Sequence, residues 1–149
     1  MDFKINTPQE ARQVATTVTQ AVTLELIDAT GGATPLETEL AYDPADPFAV
    51  SATFNTVAGQ VRWTFGRDLL IGGLYEPTGD GDVHVWPCLD DEANPVVIIE
   101  LCSPDGTALL QAPSRTVHDF VVRTLEVVPA GEESTHLALD ALITKLLSD

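Results

Sequence analysis

FAVSATFNTVAGQVRWTF, residues 48–65, is the stretch on which the fold turns. Phe48, Val50, Ala52 and Phe54 alternate with Ala49, Ser51, Thr53 and Asn55. After Ala58-Gly59 the same period returns, with Val61, Trp63 and Phe65 on one side and Arg62 and Thr64 on the other. Successive side chains of a strand point to opposite faces, so a period of two predicts two half-buried strands. The glycine between them allows a tight reversal, and the pair reads as an antiparallel hairpin.

Upstream, the pattern continues. In Asp43-Pro44-Ala45-Asp46-Pro47 each proline fixes its own φ and pushes the preceding residue out of the helical region, which predicts a turn. Before it, Leu36, Leu40 and Tyr42 oppose Glu37, Glu39 and Asp43, a second strand. Gly31-Gly32 separates that strand from a longer one. There Val14, Val18, Val22, Leu24 and Leu26 share a face against Thr17, Thr19, Thr23 and Glu25. Residues 1–13 are polar and aperiodic and read as a tail, leaving residues 14–149 as the folded domain.

Downstream, Arg67–Ile71 has the look of one helical turn stopped by Gly72-Gly73. Gly79-Asp80-Gly81 introduces a strand over Asp82–Trp86, which Pro87 is expected to close. Asp90–Pro95 forms an acidic loop. Val96–Leu101 is apolar on both faces, which suits a central strand or one covered at an oligomer interface. The turn signal Pro104-Asp105-Gly106 pairs it with Thr107–Gln111. The period then changes. Val117, Phe120, Val121, Thr124, Leu125 and Val128 recur at helical spacing behind Ser114 as N-cap, and Pro129-Ala130-Gly131 ends that helix. A last helix carries Leu139, Leu142, Ile143, Leu146 and Leu147 as its apolar stripe. The sum is one α+β domain: an antiparallel sheet of about seven strands, one short helical turn and two C-terminal helices.

Charge excludes whole classes of partner. The net charge is −16, and the seven cations, Lys4, Arg12, Arg62, Arg67, Arg115, Arg123 and Lys145, form no stripe. Binding to nucleic acid proceeds by exchange of phosphate counterions for Lys and Arg, so neither nucleic acid nor an anionic membrane surface is an expected partner. No apolar run approaches the roughly 20 residues that cross a bilayer, so no membrane insertion is expected. Met1-Asp2-Phe3-Lys4 does not begin a secretory signal, and the expected compartment is the cytoplasm. Cys88 and Cys102 form no Cys-x-x-Cys pair and are expected as buried, reduced thiols.

The sequence carries no recognisable reactive centre. There is no Gly-x-Ser-x-Gly elbow, and the glycine pairs have no lysine to complete a phosphate loop. His84, His118, His136, Cys88 and Cys102 are dispersed, and Pro87 interrupts the strand between His84 and Cys88. The segment Thr78–Asp82 lacks the full ladder of a calcium loop. Asp43/Asp46 and Asp90/Asp91 lie in loops without apolar surroundings, where solvated charge is the plainer reading. No catalytic residue, cofactor-binding residue or metal ligand is expected, and the chain reads as a non-enzyme.

Several segments together resemble the SsgA-like proteins, sporulation-specific cell division regulators of actinomycetes. They are Tyr42-Asp43-Pro44-Ala45-Asp46-Pro47-Phe48-Ala49-Val50 with Ala52-Thr53-Phe54, and Val61-Arg62-Trp63-Thr64-Phe65-Gly66-Arg67-Asp68-Leu69-Leu70. Gly73-Leu74, Pro77-Thr78-Gly79, Gly81-Asp82-Val83, Val85-Trp86-Pro87 and Ser103-Pro104-Asp105-Gly106 follow in order, then Ala108-Leu109-Leu110 and Ala112-Pro113. The likeness covers about residues 18–147, and the short acidic outline is compatible with the SsgB-like branch, the subtype being left open. It implies a protein that binds and does not catalyse. Its expected place is the division septum, its partners the tubulin-like division protein FtsZ and other SsgA-like proteins. It also implies self-association, with a trimer favoured over a dimer. The family fold has been likened to scaffolds for single-stranded nucleic acid, which is the alternative function, and the charge argues against it. Leu74, Tyr75, Asp80, Asp82 and Trp86 fall in one loop–strand unit where an exposed apolar–acidic patch would serve as the partner-binding surface. Trp63, Phe65, Phe48 and Phe54 alternate as core residues do.

Overall fold

A computed structural model of the chain describes residues 17–148. The expected tail over residues 1–13, and Val14 of the expected first strand, lie outside the described residues. Eight strands form one antiparallel sheet: β1 Val18–Ile27, β2 Ala33–Tyr42, β3 Ala49–Thr56, β4 Gly59–Gly66, β5 Thr78–Asp80, β6 Val83–Leu89, β7 Pro95–Ser103 and β8 Gly106–Pro113. Among the described residues three helices accompany them: α1 Arg67–Gly73, α2 Ser114–Val127 and α3 Glu133–Leu147.

The spatial order β4-β3-β2-β1-β8-β7-β6-β5 consists of two four-stranded meanders, one from each half of the chain. They meet at β1 and β8 through three residue pairs, Glu25↔Gln111, Leu26↔Leu110 and Ile27↔Leu109. Every other neighbour is joined by a local connection whose turn residues are visible in the sequence. At the β3–β4 reversal Gly59 takes φ 119°, and at the β7–β8 reversal Gly106 takes φ 142°, conformations that a residue with Cβ adopts only under strain.

The sheet curls around one core. Val22, Leu24, Leu40, Tyr42, Val50, Ala52, Phe54, Val85, Val97, Ile99 and Leu110 point into it from alternating positions. α2 closes the core with Val117, Phe120, Val121 and Thr124, the i, i+3, i+4, i+7 stripe of an amphipathic helix. α1 adds Leu69 and Leu70. Each fully buried Leu, Val or Phe contributes roughly 1.5–3 kcal/mol relative to exposure.

Several local expectations change. Pro87 does not close β6, which runs to Leu89. β5 pairs only as far as Val85, so beyond that point β6 is an edge strand, where a missing N–H is tolerated. β5 itself is a three-residue strand inside what reads as turn sequence. α2 begins at Ser114, with Pro113 at the capping position and no side-chain cap. Phe48 precedes β3 and is 49 % exposed, while Val61 sits on the exposed edge strand β4. Cys88 is exposed and Cys102 half-buried; both thiols are free.

Candidate functional site

The residues of the Tyr42–Leu70 segments converge on a buried structural node. Arg67, 1 % exposed, opens α1 directly after β4. Its Nη1 donates to the carbonyls of Thr124 (3.2 Å) and Val128 (2.7 Å) at the end of α2, and its Nη2 donates to Glu133 Oε2 at 2.8 Å. Those carbonyls carry the negative end of the helix dipole, a natural partner for a guanidinium. The guanidinium lies 4.9 Å from the Tyr42 ring centroid, and the Tyr42 hydroxyl donates to the Pro47 carbonyl at 2.9 Å. Backbone N–H of Arg67 donates to the Phe48 carbonyl at 2.7 Å. Arg67, with Tyr42 beneath it, thus ties the Asp43–Pro47 turn, α1, α2 and the start of α3. The hydrogen bond from Arg67 holds the Glu133 carboxyl below the usual range, with backbone N–H donors adding to it. Burial pushes the Tyr42 hydroxyl up to about 12, against the opposing pull of the Arg67 charge. This cluster holds the fold together and offers a partner nothing.

The five expected partner residues separate into three places. Half-buried Leu74 and Tyr75, 73 % exposed, follow α1 and line a broad groove of about 820 Å³. Pro87, Cys88 and Leu89 of β6 also line it, as do Arg115, His118 and Asp119 of α2. Asp80 and Asp82 are exposed at the opposite end of β6, six residues and roughly 20 Å along the strand from Cys88. Trp86 is half-buried on the outer face, across from Ile98. The sheet therefore divides the apolar part of the expected patch from the acidic part.

A larger apolar surface lies on α3. Apart from buried Glu133 and half-buried His136, every described residue of this helix is exposed. Leu139, Leu142, Ile143, Leu146 and Leu147 occupy one face roughly 140° wide, and Leu146 is 67 % exposed. The apolar stripe is plain in the sequence. Its exposure is not, because helical periodicity reports that a face is apolar and not what covers it.

Among the described residues no groove gathers cations: Arg62 sits with Asp43 and Asp46, and Arg115 with Asp119. Among the described residues, no helix is long and apolar enough to cross a membrane. The expected dispersal of metal-binding side chains fails at one place. His84, Glu100 and Cys102 meet on the outer face of β6 and β7, with ligand atoms within 4.8 Å of one another.

Comparison with known proteins gives a consistent picture. Residues 36–133 match the family model described as "Streptomyces sporulation and cell division protein, SsgA". The sporulation-specific cell division protein SsgB of Streptomyces coelicolor is 45 % identical over 135 residues, covering 90 % of this chain and 98 % of its own. Its counterpart in Saccharopolyspora erythraea is 46 % identical over 116 residues, 77 % of this chain and 81 % of that one. A crystal structure of an SsgA-like sporulation-specific cell division protein from Thermobifida fusca superposes with a TM-score of 0.79 at 39 % identity, covering 87 % of this chain and 95 % of that one. A solved structure associated with SsgB mutations that correlate to longitudinal cell division during sporulation of Streptomyces coelicolor gives a TM-score of 0.74. It is 48 % identical, over 80 % of this chain and 92 % of that one.

Proposed function

Because the chain belongs to the SsgA family of sporulation and cell division proteins, we propose that it is a non-enzymatic docking protein of sporulation-specific division. In this reading it works in the cytoplasm at the future septum, recruiting FtsZ there. The observation that carries the docking reading is the uncovered apolar face of α3 on a chain of net charge −16. A large exposed apolar patch on an otherwise charged surface marks a protein contact. Self-association, as a trimer before a dimer, is assigned to α3. The FtsZ contact is assigned to the Tyr75 groove, where an exposed aromatic beside Leu89 supplies the kind of anchor that dominates binding energy.

The test joins two measurements on one set of variants. Wild type, Tyr75→Ala with Leu89→Ala, and Leu142→Glu with Leu146→Glu are co-sedimented with polymerised FtsZ, and their native masses are measured by sedimentation equilibrium. The expected result is separation of the two defects: the groove variant stays oligomeric and loses FtsZ, and the helix variant becomes monomeric. A wild-type protein that fails to co-sediment, or a groove variant that binds as well as wild type, overturns the assignment to FtsZ. A monomeric wild type overturns the role given to α3.

A further inference from the structure

We propose that His84, Glu100 and Cys102 form a zinc site on the outer face of the β6–β7 pair. The three come together by sheet register. His84 on β6 is the cross-strand partner of Glu100 on β7, and Cys102 lies two residues beyond Glu100, on the same face. Cross-strand partners carry Cβ atoms about 4.5–5.5 Å apart, and i, i+2 neighbours share a face, so the three side chains converge without backbone change.

Their chemistry is matched to one metal. A thiolate, an imidazole and a carboxylate are the ligand types of Zn²⁺, with Zn–S near 2.3 Å and Zn–N and Zn–O near 2.0–2.2 Å. A tetrahedral ion at those lengths holds its ligand atoms about 3.3–3.8 Å apart. The present atoms lie within 4.8 Å of one another, with His84 Nδ1 and Glu100 Oε1 already at 3.3 Å. Closing the remainder asks for about an ångström of side-chain rotation. All three residues are half-exposed, which leaves an entry path and a fourth position for water.

A simple His–Glu pair explains the arrangement less well. His84 Nδ1 is screened from solvent and makes no hydrogen bond of good geometry, even to the nearby carboxylate. It is an orphaned donor–acceptor atom, which proteins avoid unless something satisfies it. The imidazole is also held in place. It lies over Gly79 on β5, where a Cβ would come within 2.1 Å of its Cδ2. On the other flank the Thr107 hydroxyl approaches Cys102 Sγ at 3.9 Å, placed to donate to a thiolate and support it from outside the ligand set.

The test uses the full chain, reduced and metal-free, titrated with Zn²⁺ by calorimetry and with Co²⁺ followed by absorption. One metal per chain is expected, with a thiolate-to-cobalt charge-transfer band. Cys102→Ser removes the band and, like His84→Ala, weakens Zn²⁺ binding by more than about tenfold, the loss seen even for groups outside the ligand set. Cys88→Ser, which alters the other thiol, keeps both the band and the affinity. Absence of binding, a Co²⁺ spectrum without the band, or a Cys102→Ser protein that binds as tightly as wild type overturns the site. The last result would place the metal on surface carboxylates. Serine is nearly isosteric with cysteine, so the test survives even if the histidine variant folds poorly.

Discussion

Replacing Arg67 by alanine removes the cation that ties the Asp43–Pro47 turn, α1, α2 and the start of α3. Glu133, 6 % exposed, keeps its carboxylate but loses its partner, and the carbonyls of Thr124 and Val128 lose their donor. Breaking a buried ion pair from one side costs about 3–5 kcal/mol, most of it the desolvated charge left behind. At roughly 2–4 °C per kcal/mol for a domain of this size, melting falls by about 6–20 °C. Arg67→Lys is the informative companion. An ammonium has no planar fork with which to reach two carbonyls and a carboxylate together, so it recovers part of the loss and not all of it. The assay is urea unfolding followed by circular dichroism at fixed protein concentration, since self-association would shift the midpoint by mass action. The midpoint should fall with the slope unchanged, the sign of lost stability without a different unfolded state. A loss below about 1 kcal/mol for Arg67→Ala, or a lysine variant equal to wild type, would refute the node as the tie between sheet and helices.

Titration tests the same node from two sides. Tyr42 ionises at about 12 in the fold against 10.0 unfolded, so its contribution is complete below pH 10 and is lost as pH rises towards 12. Phenolate absorbance and stability should change together there, and Tyr42→Phe should remove that alkaline step. Glu133 behaves oppositely. Its lowered value means a contribution present above about pH 4.5 and lost as pH falls through the folded value, and Glu133→Gln should flatten that part of the acid limb of a stability curve. Gly73→Ala should destabilise by about 1–3 kcal/mol in thermal melts, although alanine is ordinarily the better helix former. A Cβ there would lie 2.2 Å from Val85 Cγ1 and 3.1 Å from the Val85 carbonyl, so α1 would have to lift from β6.

What the amino-acid order determined by itself is local. Alternation at Val50, Ala52 and Phe54, turn chemistry at Asp43–Pro47 and Pro104–Gly106, and the helical stripe from Val117 to Val128 each depend on neighbours a few residues away. Those readings therefore stand in the structure, as does the antiparallel α+β class. The family could also be read there, because its motifs are contiguous. Tertiary structure alone decided the features that need distant residues. The two meanders join through β1 and β8, more than 80 residues apart, and no local pattern encodes which edges meet. Arg67 looks like an ordinary charged residue until α2 and Glu133 close over it. The expected partner patch is one unit in the chain but is split by the length of β6. His84 and Cys102 look dispersed until strand register sets them on one face. Periodicity fixes which way a side chain points. What it meets is set by the packing of elements far apart in sequence, and that is where both the buried node and the candidate zinc site arise.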